Sequence, residues 1–290
     1  MNVITLMELA HDILTTNDER FRTPYMDARS QISNFFKQTT HNDVYLRLVI
    51  IDSLYSTQMS KKMFGLDHLS SAIKSLGDDE CLKEKAMFFL QERENDSCIK
   101  NLLNGKYGRS KTDEDGIAAG SLISKYLYFL MDYRFPIIDS FVKNYVLTMF
   151  SASQSVRNYL KDLSSRTKKV HENEKLIELL ININKEFSES KITYEKMDNL
   201  LWLTGKVKKG AMSLIVQESH YDEIEREIRT PAFNKKLEQT KKGDKSDLID
   251  DLFSEKLSEA DTINKLRERR YISKDLSKFL DEIKDIDKIE

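Results

Sequence analysis

Cysteine is almost missing from this chain: Cys81 and Cys98 are the only two among 290 residues. That excludes a four-cysteine zinc or iron–sulfur site. The five histidines are scattered with no close pair, and the expectation is a protein without metal or cofactor. Only three prolines and nine glycines break the sequence. Few breakers, abundant Leu, Lys, Glu and Ile, and no alternating β-branched runs predict an all-α fold. No apolar run is long enough to span a bilayer and no secretory signal stands out, which predicts a cytoplasmic protein with no membrane contact. A charge excess is lacking too: 46 basic residues meet 48 acidic ones. The net charge of −2 does not by itself suggest a nucleic-acid partner. The charges are unevenly placed, however. From Glu218 onward there are 16 basic and 20 acidic residues, which leaves 30 and 28 before that point. A slightly positive body can carry a local basic surface without a basic protein around it.

What is present is enough apolar material for a sizeable core, 40% of residues. Residues 1–40 read as one or two helices with a break at Thr15-Thr16-Asn17-Asp18 and a restart at Pro24. Asn42 and Asp43 cap a helix from Val44 to about Gln58 that is apolar nearly all round and is expected to be buried. Its tip, Ser56-Thr57-Gln58, runs into Lys61 and Lys62. That suits contact with an anionic partner, although a frayed helix end with solvated lysines is the commoner meaning. Helices over 66–76, 80–91 and 96–103 follow. The loop Asn104 to Gly116 carries Lys106, Arg109 and Lys111 among glycines, as a phosphate-contacting loop does and as many merely solvated loops do. Later helices are expected at 117–131, 136–150, 151–159, 172–187 and 194–206. After about Gly210 the character changes. Residues 211–290 form a charged extension with narrow apolar stripes and a linker at 241–246, expected to pack on the body, on a protein partner or on a second copy.

The stretch from Ser121 to Val146 is central. It holds an apolar helix, a break at Asp132–Arg134, and Phe135-Pro136-Ile137-Ile138-Asp139 opening a second helix. An acid just after a proline, at a helix start, sits where backbone N–H groups favour negative charge. Lys125 lies one helix upstream. A lysine and an aspartate meeting at a helix junction can carry covalent and electrostatic catalysis; the plain alternative is a helix-capping Asp139 and a surface Lys125.

Three stretches in order resemble the helix-hairpin-helix DNA glycosylase superfamily, the group that includes endonuclease III and the 8-oxoguanine glycosylases. Leu48 to Gln58 (LVIIDSLYSTQ) is similar to its buried helix ending in small-small-Gln. Ile117 to Val142, with Pro136-Ile137-Ile138-Asp139-Ser140-Phe141-Val142, resembles its hairpin, helix and active-site aspartate. Met197 to Lys206 (MDNLLWLTGK) resembles its late helix ending in Gly and a basic residue. The resemblance implies an all-α body of two lobes over residues 1–210: a six-helix lobe over about 44–150 and a second from 1–40 with 151–210. It implies a double-stranded DNA partner and a base flipped from the duplex, its N-glycosidic bond cleaved with Asp139 and Lys125 as catalytic residues. Gln58, Ser56 and Thr57 would fill or flank the vacated gap. Lys61, Lys106, Arg109, Lys111, Gly120 and Ser121 would hold the DNA. The sequence also departs from the pattern. The consensus Leu-Pro-Gly-Val-Gly hairpin is reduced to Ile117-Ala118-Ala119-Gly120-Ser121. The family's lysine position, eighteen or nineteen residues before the aspartate, falls on Gly120 or Ser121, so that Lys125 would act from one helical turn further on, a shortened loop would shift the register, or Asp139 would act alone in a monofunctional arrangement. The rival readings are a chemistry-free DNA-binding protein on that scaffold, and a helical protein-interaction module, open to a role in phage defence, that binds through 211–290.

Overall fold

The computed structural model describes residues 2–18, 24–38, 43–55, 57, 59–92, 97–108, 116–164, 172–190, 192–208 and 273–283. The described chain is mostly helical, with one two-stranded hairpin. Its helices are α1 (Val3–Thr15), α2 (Pro24–Lys37), α3 (Val44–Tyr55), α4 (Gly65–Lys74), α5 (Asp79–Glu92), α6 (Ser97–Asn104), α7 (Gly120–Leu130), α8 (Ser140–Met149), α9 (Gln154–Ser164), α10 (Glu172–Glu186), α11 (Tyr194–Lys208) and α12 (Lys274–Ile283). None of the described helices is long and apolar enough to cross a membrane. The chain divides into two compact units, residues 28–198 and residues 1–27 with 199–290.

In the larger unit, α7 is the central element. Leu122 through Met131 are all buried, and α3, α5 and α6 pack on it. Two short strands precede it, β1 (Lys106–Tyr107) and β2 (Ile117–Ala118), paired antiparallel with Lys106 opposite Ala118. Where the sequence predicts a helix from Ile117, the first residues are instead strand, and helix begins at Gly120. After α7 the break expected at Asp132–Arg134 is a tight turn in which Asp132 (φ 51°) and Tyr133 (φ 67°) are both left-handed. Such residues cost about 1–2 kcal/mol each. The Tyr133 N–H, 2.7 Å from the Tyr128 carbonyl, and the Tyr133 ring, 5.0 Å from that of Tyr128, hold the turn closed. Phe135 to Ile138 then run without regular secondary structure and buried, and α8 starts at Ser140 rather than at Pro136.

Helix α3 differs from the expectation of full burial. Tyr45, Leu46 and Leu54 are 39%, 41% and 46% exposed, while Arg47 and Asp52 are buried. The reason is that both polar groups find partners inside. Arg47 makes a two-pronged contact with Asp79, at 2.9 and 2.7 Å, and its guanidinium lies 4.6 Å from the centre of the Phe36 ring. Asp52 receives the N–H of Met59 and of Ser60, each at 2.8 Å, and the Thr57 hydroxyl. Burial pushes its pKa up, but the hydrogen bonds from Ser60, Thr57 and Met59 outweigh it and hold Asp52 below the usual carboxylate range. The chain beyond α3 is thereby turned into a single 3₁₀ turn, Met59–Lys61, instead of a longer helix.

In the smaller unit, α1 faces α12. The apolar stripe Leu6, Met7, Ala10, Ile13 and Leu14 is buried, as are Leu276, Phe279, Leu280 and Ile283. The C-terminal stripe therefore packs on this chain's own first helix. Residues 211–272, which hold most of the charged extension, lie outside the described residues.

Asp52→Ala leaves the N–H groups of Met59 and Ser60 without their acceptor. It is expected to destabilise the protein by about 2–4 kcal/mol in urea unfolding at pH 7. Because the folded pKa is depressed, the Asp52 contribution is present above about pH 4 and is lost as pH falls through the folded value, so wild type and variant converge in acid.

Candidate functional site

The lysine and the aspartate, fourteen residues apart in sequence, meet inside the larger unit. Local chemistry sets their register. The Ile138 N–H donates to the Ser124 hydroxyl at 3.1 Å, and that hydroxyl donates in turn to the Ser121 carbonyl at 3.1 Å. Ser124 and Ile138 each precede one member of the pair, so this bond fixes Lys125 against Asp139. Asp139 is the N-cap of α8. Its Oδ1 accepts from the N–H of Phe141 at 2.9 Å and of Val142 at 3.1 Å, while Oδ2 lies 3.6 Å from Lys125 Nζ. The helix-cap reading of Asp139 is thus correct, and the lysine contact is added to it. The surface reading of Lys125 is not: its side chain is 4% exposed. Its ammonium donates to the Ser121 hydroxyl at 3.0 Å and stands 5.0 Å from the centre of the Tyr55 ring. Ser121 is four residues before Lys125 on α7, as helix spacing requires.

Above this pair opens a cleft of about 440 Å³, lined by Gly120, Ser121, Asp139, Ser140, Lys143 and Asn173 among others. Lys125 does not line it; the lysine lies beneath, behind Ser121 and Asp139. A Cβ at Gly120 would clash with Asn173 Nδ2 and stand 3.3 Å from Ile138 Cδ1, so a larger residue there requires the Asn173 side chain to move aside.

Other residues singled out from the sequence fall elsewhere. Thr57 is half-buried and spends its hydroxyl on Asp52. Lys61 is exposed on the 3₁₀ turn and Lys106 is exposed on β1. Ser56, Gln58, Arg109 and Lys111 lie outside the described residues. Tyr126, Tyr128 and Trp202, aromatic enough to stack on a base, are core residues with at most 6% exposure. Helix α11 runs through Gly205 to Lys208 and does not end at the glycine.

Two elements of the site were not visible in the sequence. Asn173 carries no motif; only packing brings it to Gly120. Lys143, four residues beyond Asp139 on α8, was within reach of helix-spacing arguments. Near the pair there is also a buried acid, Asp198, at 7% exposure. Arg29 Nη1 lies 3.9 Å from it, and the Arg29 guanidinium sits 5.2 and 5.0 Å from the ring centres of Tyr128 and Tyr133 and 3.6 Å from Glu195. Burial pushes Asp198 up to about 6; Arg29 and Lys125 pull the other way, and the charges of Asp139 and Glu195 add to the rise.

No family model, no curated protein and no solved structure matches this chain. The site is therefore interpreted from its own geometry.

Asp198 generates a pH prediction. Folded, it keeps its proton to about pH 6, whereas an unfolded aspartate loses it near pH ~4. The folded state binds more protons in that window, so stability falls as pH rises from about 4 to about 6. Asp198→Asn is expected to unfold at the same urea concentration as wild type at pH 4, and to be more stable by about 1–3 kcal/mol at pH 8.

Proposed function

We propose that this chain is a divergent helix-hairpin-helix DNA glycosylase that binds double-stranded DNA and excises a damaged or modified base. The observation that carries the reading is the meeting of Lys125 Nζ and Asp139 Oδ2 at 3.6 Å beneath a cleft at the start of α8. Nucleophilic glycosidic cleavage needs an amine and a carboxylate held together near a positive end of backbone dipoles, out of bulk water. The helical build and the proline-to-aspartate entry into α8 agree with the resemblance in sequence.

A base flipped into the cleft would bring its sugar over Asp139. The Asp139 carboxylate, already ionically engaged, faces the positive charge that grows on the sugar as the glycosidic bond lengthens. Lys125, once its proton has passed to Asp139 or solvent, attacks C1′ with its lone pair. The bond to the base breaks and the base leaves with the electron pair, taking up a proton. Ring opening of the aminal gives a Schiff base between Lys125 and the sugar, from which strand cleavage by elimination can follow. Asp139 acting on water in place of Lys125 would give the monofunctional version of the same excision. Ser121 holds the lysine at 3.0 Å and would have to release it for attack.

A second reading, DNA binding without chemistry on this scaffold, is favoured by one observation: Lys125 is 3% exposed and lies below the cleft rather than in it. Borohydride trapping decides. With duplexes carrying modified bases or abasic sites, wild type is expected to form a reducible adduct that Lys125→Ala abolishes and Asp139→Asn slows by about 100-fold or more. Asparagine is also a good N-cap, but it leaves the buried Lys125 ammonium without its carboxylate, so urea unfolding of Asp139→Asn is measured beside the assay and a loss at retained folding reports on chemistry. Abasic product without an adduct, lost in Asp139→Asn, indicates the monofunctional enzyme. Duplex binding with neither adduct nor abasic product from any substrate leaves the binding-only reading.

A further inference from the structure

We propose that Cys81 and Lys85 form a covalent modification site driven by peroxide. The oxidised Cys81 sulfur is captured by the Lys85 amine as a sulfur–nitrogen bond, a sulfenamide, which staples the first turns of α5. Neither residue lines the Lys125–Asp139 cleft, and the site needs no DNA. The first observation is contact. Lys85 Nζ lies 2.7 Å from Cys81 Sγ. That is as short as the shortest N–H···O bonds, although sulfur is the larger atom. The two residues are four apart on one helix, the spacing that brings side chains together on a shared face. Closing the bond therefore asks only for side-chain movement.

The second observation is that the sulfur is held in place. Cys81 Sγ donates to the Leu76 carbonyl at 3.4 Å, and the Cys81 backbone N–H donates to Asp78 Oδ1 at 2.9 Å. Gly77 packs against the same side chain. A Cβ at Gly77 would stand 2.9 Å from both Cβ and Sγ of Cys81, and the Gly77 φ of 119° is one that side chains rarely adopt. The bare glycine leaves the sulfur its room. Cys81 is a free thiol, and both it and Lys85 are half-buried. A small oxidant can thus reach the sulfur while the amine stays beside it. Partly exposed cysteines next to a cation are the ones that oxidise selectively.

The chemistry balances with hydrogen peroxide as the oxidant. Sulfur attacks one peroxide oxygen, the O–O bond breaks, and the other oxygen leaves as water. Sulfur loses an electron pair, peroxide gains it, and Cys81 becomes a sulfenic acid. Sulfenic acids condense with a neighbouring nitrogen. Lys85 gives its ammonium proton to solvent, and the Nζ lone pair attacks Sγ. The S–O bond breaks, and the departing hydroxide takes a proton from the nitrogen and leaves as water. Thiol, amine and peroxide thus give a sulfenamide and water, and the sulfur is stopped short of the irreversible sulfinic stage. What the staple secures is the start of α5. Asp79, in the same turn as Cys81, is the two-pronged partner of the buried Arg47.

The test is mass spectrometry of the full chain carrying Cys98→Ala, which removes any disulfide to the second cysteine. After treatment with hydrogen peroxide, tryptic cleavage beyond Lys85 is expected to be lost. The Cys81 and Lys85 peptides are expected to run as one species, lighter than their sum by a pair of hydrogen atoms, and dithiothreitol is expected to restore both. Lys85→Arg keeps a cation beside the sulfur but is a far weaker nucleophile. It is expected to lower the cross-linked species by about 10-fold and to raise dimedone trapping of the Cys81 sulfenic acid by a similar factor. A cross-link that persists at the unsubstituted level in Lys85→Arg, or that maps to another lysine, overturns the proposal. The unsubstituted Lys85 chain decides by itself where the variant fails to fold. Cys81 found as sulfenic or sulfinic acid with cleavage at Lys85 intact, or Cys81 left unoxidised, overturns the site.

Discussion

A lysine inside a helix that is buried on every side is tolerated only where its charge is met. Lys125 lies in such a helix, and the larger unit is arranged to meet it. Ser121 and Tyr55 take up part of its coordination, and Asp139 comes from the next helix to neutralise it. For Asp139 to arrive, the chain must leave α7 abruptly, turn through two left-handed residues and pass through the buried segment 135–138. Each of those steps is fastened back to α7, at Tyr128 by Tyr133 and at Ser124 by Ile138. Breaking a buried pair leaves an uncompensated charge, which is worse than never having had the pair. The ammonium thus constrains the backbone for some twenty residues around it.

The same logic runs through α3. Arg47 and Asp52 share the inner face with Val44, Leu48 and Ile51, while Tyr45, Leu46 and Leu54 face out. Asp52 converts what would be more helix into the fixed turn Met59–Lys61. Polar groups in the interior here act less as sources of stability than as devices that set the course of the chain.

Helix positions were readable because their signals are local. Pro24 and Asp43 each mark a helix start within a residue of its place. The break at Asp132 and the capping role of Asp139 were readable for the same reason. What escaped is tertiary. Nothing near Arg47 announces Asp79, thirty-two residues away. Asn173, Asp198 and Arg29 carry no motif, and they matter only because folding places them close to Gly120 or to one another. The exposure of α3 escaped because apolar composition says a face wants burial, while the presence of a polar partner decides which face gets it. The site itself was half legible: Lys125, Ser121 and Asp139 could be named, but the depth of the lysine beneath the cleft could not.

The pairing of α1 with α12 has a kinetic side. Some 260 residues separate them, and at the usual synthesis rate of 5–20 residues per second α1 emerges about 10–50 s before its partner exists. During that interval the stripe of Leu6, Met7, Ile13 and Leu14 has no α12 to cover it, while the larger unit, whose contacts lie within residues 28–198, can already form. The smaller unit can therefore close only after the larger one is able to form, and the stripe of α1 waits uncovered by α12 until then.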